Sequence, residues 1–441
     1  MKLKKHQLLL LSLLTITNIN TGAQEKYDLS EFLTTGLEKN FSLQIARNRQ
    51  EIAENNLTLG NAGFLPVLDL SARQSGTVNS SRQNFSDGTT ASAGNIHNTT
   101  TNAGLNLGWN IFSGFRVQTS WARLEELKDQ GEMSTRLAIE RFIAMTAGEY
   151  YNYIQQVRQL RNLEFTVELS RERFRIDEER YLIGSGSRLQ MMQSRVFLNA
   201  DSSRLSRQHE TVRASQIRLN ELIGSEDFDL LLGASDTMIV VDKELVYEDL
   251  YGRTLDDNTS LLLAESDVLI SEYDRKIVES RSYPYINFSS GYGYTLNTFQ
   301  AGSMDYQQNL GFNYGVTVGI NIFDGYNRRR QVSNALIEED NRRLQHRQIE
   351  QEVKADLLTI YKAYENNLRL LEMEHENLET ARENMDIALE RYMLGELSGI
   401  ELREVQKSLL EAEERLLSIQ YQTKLAEISL LQISGRIMEY I

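Results

Sequence analysis

The stretch AGLNLGWNIFSGF (Ala103–Phe115) recurs in outline as LGFNYGVTVGINIFDGY (Leu310–Tyr326). In the first, Leu105, Leu107, Trp109 and Ile111 alternate with Gly104, Asn106, Gly108 and Asn110. In the second, Leu310, Phe312, Tyr314, Val316, Val318, Ile320 and Ile322 alternate with Gly311, Asn313, Gly315, Thr317, Gly319 and Asn321. A period of two sends each set to its own face of a sheet. The segments after the two prolines alternate likewise. Leu68, Leu70 and Ala72 oppose Asp69, Ser71 and Arg73, while Ile286, Phe288, Tyr292 and Tyr294 oppose Asn287, Ser289, Gly291 and Gly293. Strands are thus expected at about 66–74, 102–112, 284–294 and 310–323.

The polar sets are mostly Gly, Asn and Ser, small groups that suit a wet lumen better than the outside of a soluble sheet. About ten residues is the span of a tilted transmembrane strand. Phe64, Trp109, Phe112, Phe115, Tyr283, Tyr285, Phe323 and Tyr326 cluster at the strand ends as an interfacial girdle would. An open sheet edge in hydrocarbon leaves backbone groups unpaired. Four strands are too few to close, so identical chains must pool them: two copies would give a filled barrel, three a pore. The Ser/Thr/Asn/Gly-rich segments Gln74–Thr101 and Thr295–Asn309 read as mobile loops on the far side of the membrane.

The chain holds two copies of one plan. Asn110, Ile111, Phe112 and Gly114 match Asn321, Ile322, Phe323 and Gly325 at an offset of 211, and ERYLIG (Glu179–Gly184) matches ERYMLG (Glu390–Gly395) at the same offset. Asn40-Phe-Ser-Leu43 matches Asn258-Thr-Ser-Leu261, and Pro66 matches Pro284, both at 218. Residues 1–23, with Lys2, Lys4 and Lys5 before LLLLSLLTI, read as a signal peptide. The first repeat is then 24–225, a linker is 226–246 with a candidate strand at Met238–Val241, and the second repeat is 247–441. Each repeat opens on a helical segment, about Asp28–Gly60 or Glu248–Ser280.

Beyond each Gly junction helical periodicity runs without proline, from Gln118 to Gly184 and from Arg329 to Gly395. A helix of ~55 residues is ~80 Å long. Helices return over Leu189–Ile223 and Ile400–Met438, making hairpins. Leu344, Ile349, Val353, Leu357, Ile360 and Tyr364 follow coiled-coil spacing, and the acidic pair Glu338-Glu339 belongs to a solvated face. At the turns, Gly184 and Gly395 suit helix C-caps. Ser187-x-x-Gln190 and Ser398-x-x-Glu401 suit capping boxes. Gly114 and Gly325 supply freedom where strand becomes helix, and Pro66 and Pro284 mark the converse change.

Together the paired helix–strand–strand–helix plan, the prolines, the junctions and the two RYxxG turns resemble the TolC family of outer-membrane efflux proteins, over about residues 27–438. The resemblance implies a mainly α fold with a transmembrane β-barrel: a homotrimer with a twelve-stranded barrel on a periplasmic helical tunnel. It implies partners too, a periplasmic adaptor and an inner-membrane pump or secretion ATPase. On that analogy Arg180, Tyr181, Gly184, Ser187, Arg391, Gly395 and Ser398 are adaptor-contact candidates, and Tyr392, Glu401 and Glu404 belong to the tunnel entrance. The arginine expected two residues after the second turn glycine is Leu397 here, a departure from the familiar closing network.

Chemistry of other kinds is not legible. The chain has no cysteine, its five histidines are scattered, and neither HExxH nor GxxxxGK[ST] occurs. No enzymatic activity, metal or cofactor is expected. Without residues 1–23 the formal charge moves from -15 to -18, which disfavours nucleic acid. The expected function is a passive outer-membrane exit duct for drug efflux or type I secretion, the rival being a periplasmic coiled-coil scaffold or adaptor.

Overall fold

A computed structural model describes residues 25–230, 232–302 and 304–440, so the signal-peptide reading of 1–23 lies outside the described residues. In chain order the elements are β1 (Glu25–Tyr27), α1 (Leu29–Lys39), α2 (Phe41–Asn56), α3 (Leu59–Ala62), β2 (Val67–Asn84), β3 (Thr90–Ser113), α4 (Arg116–Leu182) and α5 (Arg188–Leu222). Then follow β4 (Leu232–Ala234), α6 (Tyr247–Asp257), α7 (Thr259–Ser280), β5 (Tyr285–Thr298), β6 (Tyr306–Gly319), α8 (Asn327–Met393), α9 (Gly399–Ile433) and a 3-10 turn at Ile437–Tyr440. Both α4 and α8 have 67 residues, and both α5 and α9 have 35, each pair starting 211 apart. The chain forms two compact units that each draw on both repeats. Among the described residues, one holds those up to Gln44, Ile139–Thr254 and those from Asp356, and the other holds Ile45–Ala138 and Leu255–Ala355.

The second unit contains an antiparallel sheet in the order β2-β3-β5-β6. Its register sorts the side chains by face. On one face lie the rows Leu68–Leu107–Ser290–Tyr314, Leu70–Leu105–Tyr292–Phe312 and Ala72–Ala103–Tyr294–Leu310. On the other lie Asp69–Asn106–Gly291–Asn313, Ser71–Gly104–Gly293–Gly311 and Arg73–Asn102–Thr295–Asn309. Asn106 donates to Ser71 Oγ (3.0 Å), Thr295 to Asn102 Oδ1 (2.8 Å) and Asn110 to Asn287 Oδ1 (2.9 Å), so the polar face is laced across strands.

The strands differ from the expected bounds. β2 and β3 continue as a paired ribbon through most of Gln74–Thr101, the segment expected to be a loop, leaving only residues 85–89 between them. Backbone pairing needs no apolar face, so a Ser/Thr/Asn run conceals it. β5 likewise reaches Thr298 and β6 starts at Tyr306, while β6 ends at Gly319, before Phe323. A bulge between Asn110 and Phe112 puts Phe112 opposite Ile286 and takes Ile111 out of the alternation.

Both β2 and β5 begin at the residue after a proline. At the far junctions Gly114 and Phe115 (φ 64° and 67°), and Gly325 and Tyr326 (φ 69° and 64°), make two successive left-handed residues. Phe112 and Phe115, and Phe323 and Tyr326, meet edge to face at these corners. Beyond them α4 and α8 pair with α7 through Arg123–Asp274 (2.6 Å) and Arg275–Glu339 (2.6 Å). Glu339 also accepts from Arg343 and is 8% exposed, so it does not lie on the solvated face expected for Glu338-Glu339.

The repeated Asn motif, Asn40 in the first unit and Asn258 in the second, breaks the expected single helix of each repeat. Asn40 Oδ1 accepts from Ser42 N (2.9 Å) and Asn258 Oδ1 from Ser260 N and Leu261 N (3.1 Å each), the geometry of a helix N-cap. β1 pairs in parallel with β4, and Met238–Val241 is not a strand. Its alternation has another cause: Ile239 alone packs inward, between exposed Met238 and Val240. Along α8, Leu357, Tyr364, Leu371, Leu378, Met385 and Tyr392 are all buried at steps of seven. Leu402, Leu409 and Leu416 of α9 answer them at the same step, which is coiled-coil packing. Leu344, in the other unit, faces outward.

Gly114 is the more confined of the two junction glycines. A Cβ there would meet the Ser280 carbonyl and lie 2.7 Å from Tyr283 Cβ, whereas at Gly325 the nearest atom would be 3.8 Å away. Both Gly→Ala variants incur the left-handed cost of about 1–2 kcal/mol. We expect Gly114→Ala to lower the thermal midpoint in detergent well beyond Gly325→Ala, and equal losses would contradict this account of the corner.

Candidate functional site: the hairpin ends

The first unit carries both hairpin turns, and local chemistry builds each the same way. Gly184 (φ 78°) and Gly395 (φ 82°) end α4 and α8 in the left-handed conformation. Ser187 accepts from Gln190 N and Ser398 from Glu401 N, and both reciprocal bonds of the two capping boxes are formed. Tyr181, Arg391 and both serines are exposed, and Arg391 lies 3.8 Å from Glu396.

What lies behind the turns differs between the hairpins. The α8–α9 seam is apolar to its end, where Leu397 packs against it in place of the expected arginine. Where the second hairpin has Ala381, Ala388, Val405 and Ala412 in or against this seam, the first has polar residues at the positions 211 earlier. Ser170 and Asp177 on α4, and Ser194 and Asp201 on α5, are buried at steps of seven. Asp201 is 0% exposed. It receives Arg403 of α9 in two bonds (2.6 and 2.8 Å) and Ser170 Oγ in a third (2.6 Å). Gln406 donates to Ser170 Oγ and to the Thr166 carbonyl. A bidentate guanidinium with a hydroxyl donor is the geometry that makes a buried carboxylate tolerable.

Nearer the turns Tyr392, 2% exposed, donates its hydroxyl to Asp177 Oδ1 at 2.5 Å. Burial, then the bond to Asp177, pushes this phenol up to about 12, so it stays a donor at any physiological pH. Arg180 stacks over the Tyr392 ring (5.0 Å) and donates to the Tyr392 and Met393 carbonyls, tying α4 to the end of α8. Arg173 is 5% exposed. Its Nε lies 4.0 Å from Asp177 Oδ2, and neither Nε nor Nη1 has a hydrogen-bond partner. Burial lowers its pKa. Arg173 and Arg403 both lie over the Phe197 ring, at 5.2 and 5.1 Å. A cleft of about 510 Å³ at this end is lined by Arg173, Asp177, Arg180, Tyr392 and the Gly395–Ile400 turn.

Of the expected residues, Arg180 and Tyr392 are brought together. Glu401 is held in its capping box and Glu404 is exposed. Pro66, Gly114, Pro284 and Gly325 belong to the other unit. Sequence reasoning missed Asp177, Arg173, Asp201 and Arg403. Their signal was present as polar residues at heptad positions. Among the described residues no cluster of three His, Asp or Glu could hold a metal ion, and no helix is long and apolar enough to cross a membrane.

A sheet with one largely apolar face, joined along the chain to capped coiled-coil hairpins, defines a class of membrane channel protein. The chain belongs to the outer membrane efflux protein family, whose model matches residues 33–225 and 250–436. It is therefore an outer-membrane efflux channel. None of the curated proteins matches. Among solved structures, a membrane protein from Pseudomonas aeruginosa is similar over 93% of this chain and 91% of its own, at 17% identity and a TM-score of 0.77. The Campylobacter jejuni CmeC outer membrane channel is similar over 92% and 85%, at 17% and 0.76. The open state of the Neisseria gonorrhoeae MtrE outer membrane channel is similar over 92% and 88%, at 17% and 0.73.

The two capping boxes differ in one respect. Gln190 does not titrate, whereas the bonds from Ser398 lower the pKa of Glu401 below its ordinary 4.5. A depressed carboxylate stabilises above its unfolded pKa and loses that contribution as pH falls through the folded one. Amide protection factors, corrected for the intrinsic pH dependence of exchange, should therefore fall in the first turn of α9 on acidification below 4.5, while those of α5 should not. Parallel behaviour of the two turns would contradict the assignment.

Proposed function

We propose that three copies of this chain pool their sheets into a twelve-stranded barrel and their hairpins into a periplasmic tunnel, forming the passive exit duct of a drug-efflux or type I secretion assembly. The observation that carries this reading is the sheet itself. One face is apolar in register, and its end strands β2 and β6 have no second strand neighbour among the described residues. In hydrocarbon those edges must pair, and β6 of one copy beside β2 of the next pairs them all.

The periplasmic mouth opens at the polar seam. The apolar α8–α9 coil moves as one body, because separating its Leu, Met and Tyr side chains would expose them to water. The contacts through Ser170 and Asp177 of α4 and Asp201 of α5 are polar and can exchange partners. Tyr392–Asp177 is the clasp of the resting state. Arg173, one short shift from the same carboxylate, takes it over when Tyr392 withdraws, so Asp177 is never left buried and unpaired. Repeated three times, Glu401 and Glu404 place carboxylates at the entrance, which favours cations. Arg180, Tyr181, Gly184, Ser187, Arg391, Gly395 and Ser398 are the surface offered to a periplasmic adaptor, itself carried by an inner-membrane pump or ATPase. Pro66, Gly114, Pro284 and Gly325 hold the crossings between barrel and tunnel.

Planar-bilayer recording from purified trimers tests this. A hydrogen bond to a charged group contributes about 1.5–3 kcal/mol, so Tyr392→Phe should raise the open fraction by about tenfold or more. Adding Arg173→Gln to Tyr392→Phe should reverse much of that gain. Folded trimers without conductance would overturn the duct, and an unaltered Tyr392→Phe record would overturn the clasp alone.

A further inference from the structure

We propose that Asp69 and Arg73 set the charge preference inside the barrel, as an acidic ring at its helix-side end and a basic ring further out. The proposal rests on the closed-barrel reading above and names the residues that discriminate cargo charge there. Across the paired segments 67–76, 99–113, 285–298 and 306–319 these two are the only charged residues. Both lie on the edge strand β2, on the same polar face, four residues apart and exposed. The register puts Asp69 at the head of the row Asn106, Gly291, Asn313, and Arg73 at the head of the row Asn102, Thr295, Asn309. Each charge therefore faces only small neutral groups across the sheet. The strand that would flank β2 from the next copy, β6, brings no charge either.

Four residues along a strand span about 13 Å, too far for the two to form an ion pair. That exceeds the Debye length of about 8 Å at physiological salt, so the two rings act on a solute separately. The order is fixed by the chain: β2 starts at Val67, just after α3 and Pro66, so Asp69 lies nearer the helices and Arg73 further out. Three copies give three carboxylates and then three guanidiniums along the exit path. A pure cation is favoured at the first ring and opposed at the second, and a pure anion the reverse. An amphoteric solute meets a favourable charge at each.

The natural absence of cysteine gives a clean test. Asn106→Cys reports beside Asp69 and Asn102→Cys beside Arg73. Trimers in liposomes are treated with cationic and anionic methanethiosulfonates of similar size, and the ratio of the two rates is referred to that for a free thiol. The ratio cancels any change in thiolate fraction. One charge a few ångströms away in water-like surroundings should shift each rate by about fivefold, in opposite directions for the two reagents. The cationic reagent should win at position 106, with the bias lost in Asp69→Asn. The anionic reagent should win at position 102, with the bias lost in Arg73→Gln. Reaction with both reagents at unbiased rates, or biases that survive neutralisation, would overturn the proposal while leaving the barrel intact. Thiols reached by neither reagent but labelled by a lipid-soluble maleimide would overturn the barrel reading as well.

Discussion

Unpaired backbone at the two ends of one small sheet is the constraint on which the molecule depends. Within the sheet the rows sort by face: apolar residues answer one another over four strands, with Ser290 the one exception in the rows through Leu68, Leu70 and Ala72, and Gly, Asn, Ser and Thr answer one another on the reverse, joined by Asp69 and Arg73. Such a sheet suits lipid on one side and water on the other. It is not complete, because β2 and β6 end it with donors and acceptors that hydrocarbon would not satisfy. Every other feature of the proposed assembly, from subunit number to the width of the lumen, follows from how that deficit is met.

The hairpins divide a second task between them. A seam of leucines with Met385 and Tyr392 fixes α8 against α9, and rearranging it would expose apolar surface. The first hairpin adds buried serine and aspartate, Ser170, Asp177, Ser194 and Asp201, where the second has alanine or valine. Those groups can trade one partner for another, or for water, at far smaller cost than an apolar seam, provided no charge is stranded. Asp201 is already held three times over, and Asp177 has one partner made and a second at 4.0 Å. In the proposed assembly, rigid and exchangeable seams side by side would let the mouth move without the protein unfolding.

Much of this was legible along the chain. Alternation found the strands, the prolines and glycines found their ends, and repeated motifs found the hairpins, because each of these is a local effect of backbone geometry. The polar ribbon of β2 and β3 was misread as a loop, since strand pairing without an apolar face leaves no periodic trace. Asn40 and Asn258 were recognised as a repeat but not as helix breaks, the capping role being visible only in Oδ1 geometry. The clasp went unseen for a different reason: Asp177 and Tyr392 are 215 residues apart, and nothing near either one names the other.

By itself, then, the sequence determined the repeats, the lengths of the helices, the faces of the strands and the chemistry of the turns, all set by neighbours within a few residues. The tertiary structure alone decided which charges are buried and with whom. A buried ion pair is defined by desolvation and by partners from distant parts of the chain. Arg403 with Asp201, or Arg173 beside Asp177, acquires its meaning only when packing has removed water from both.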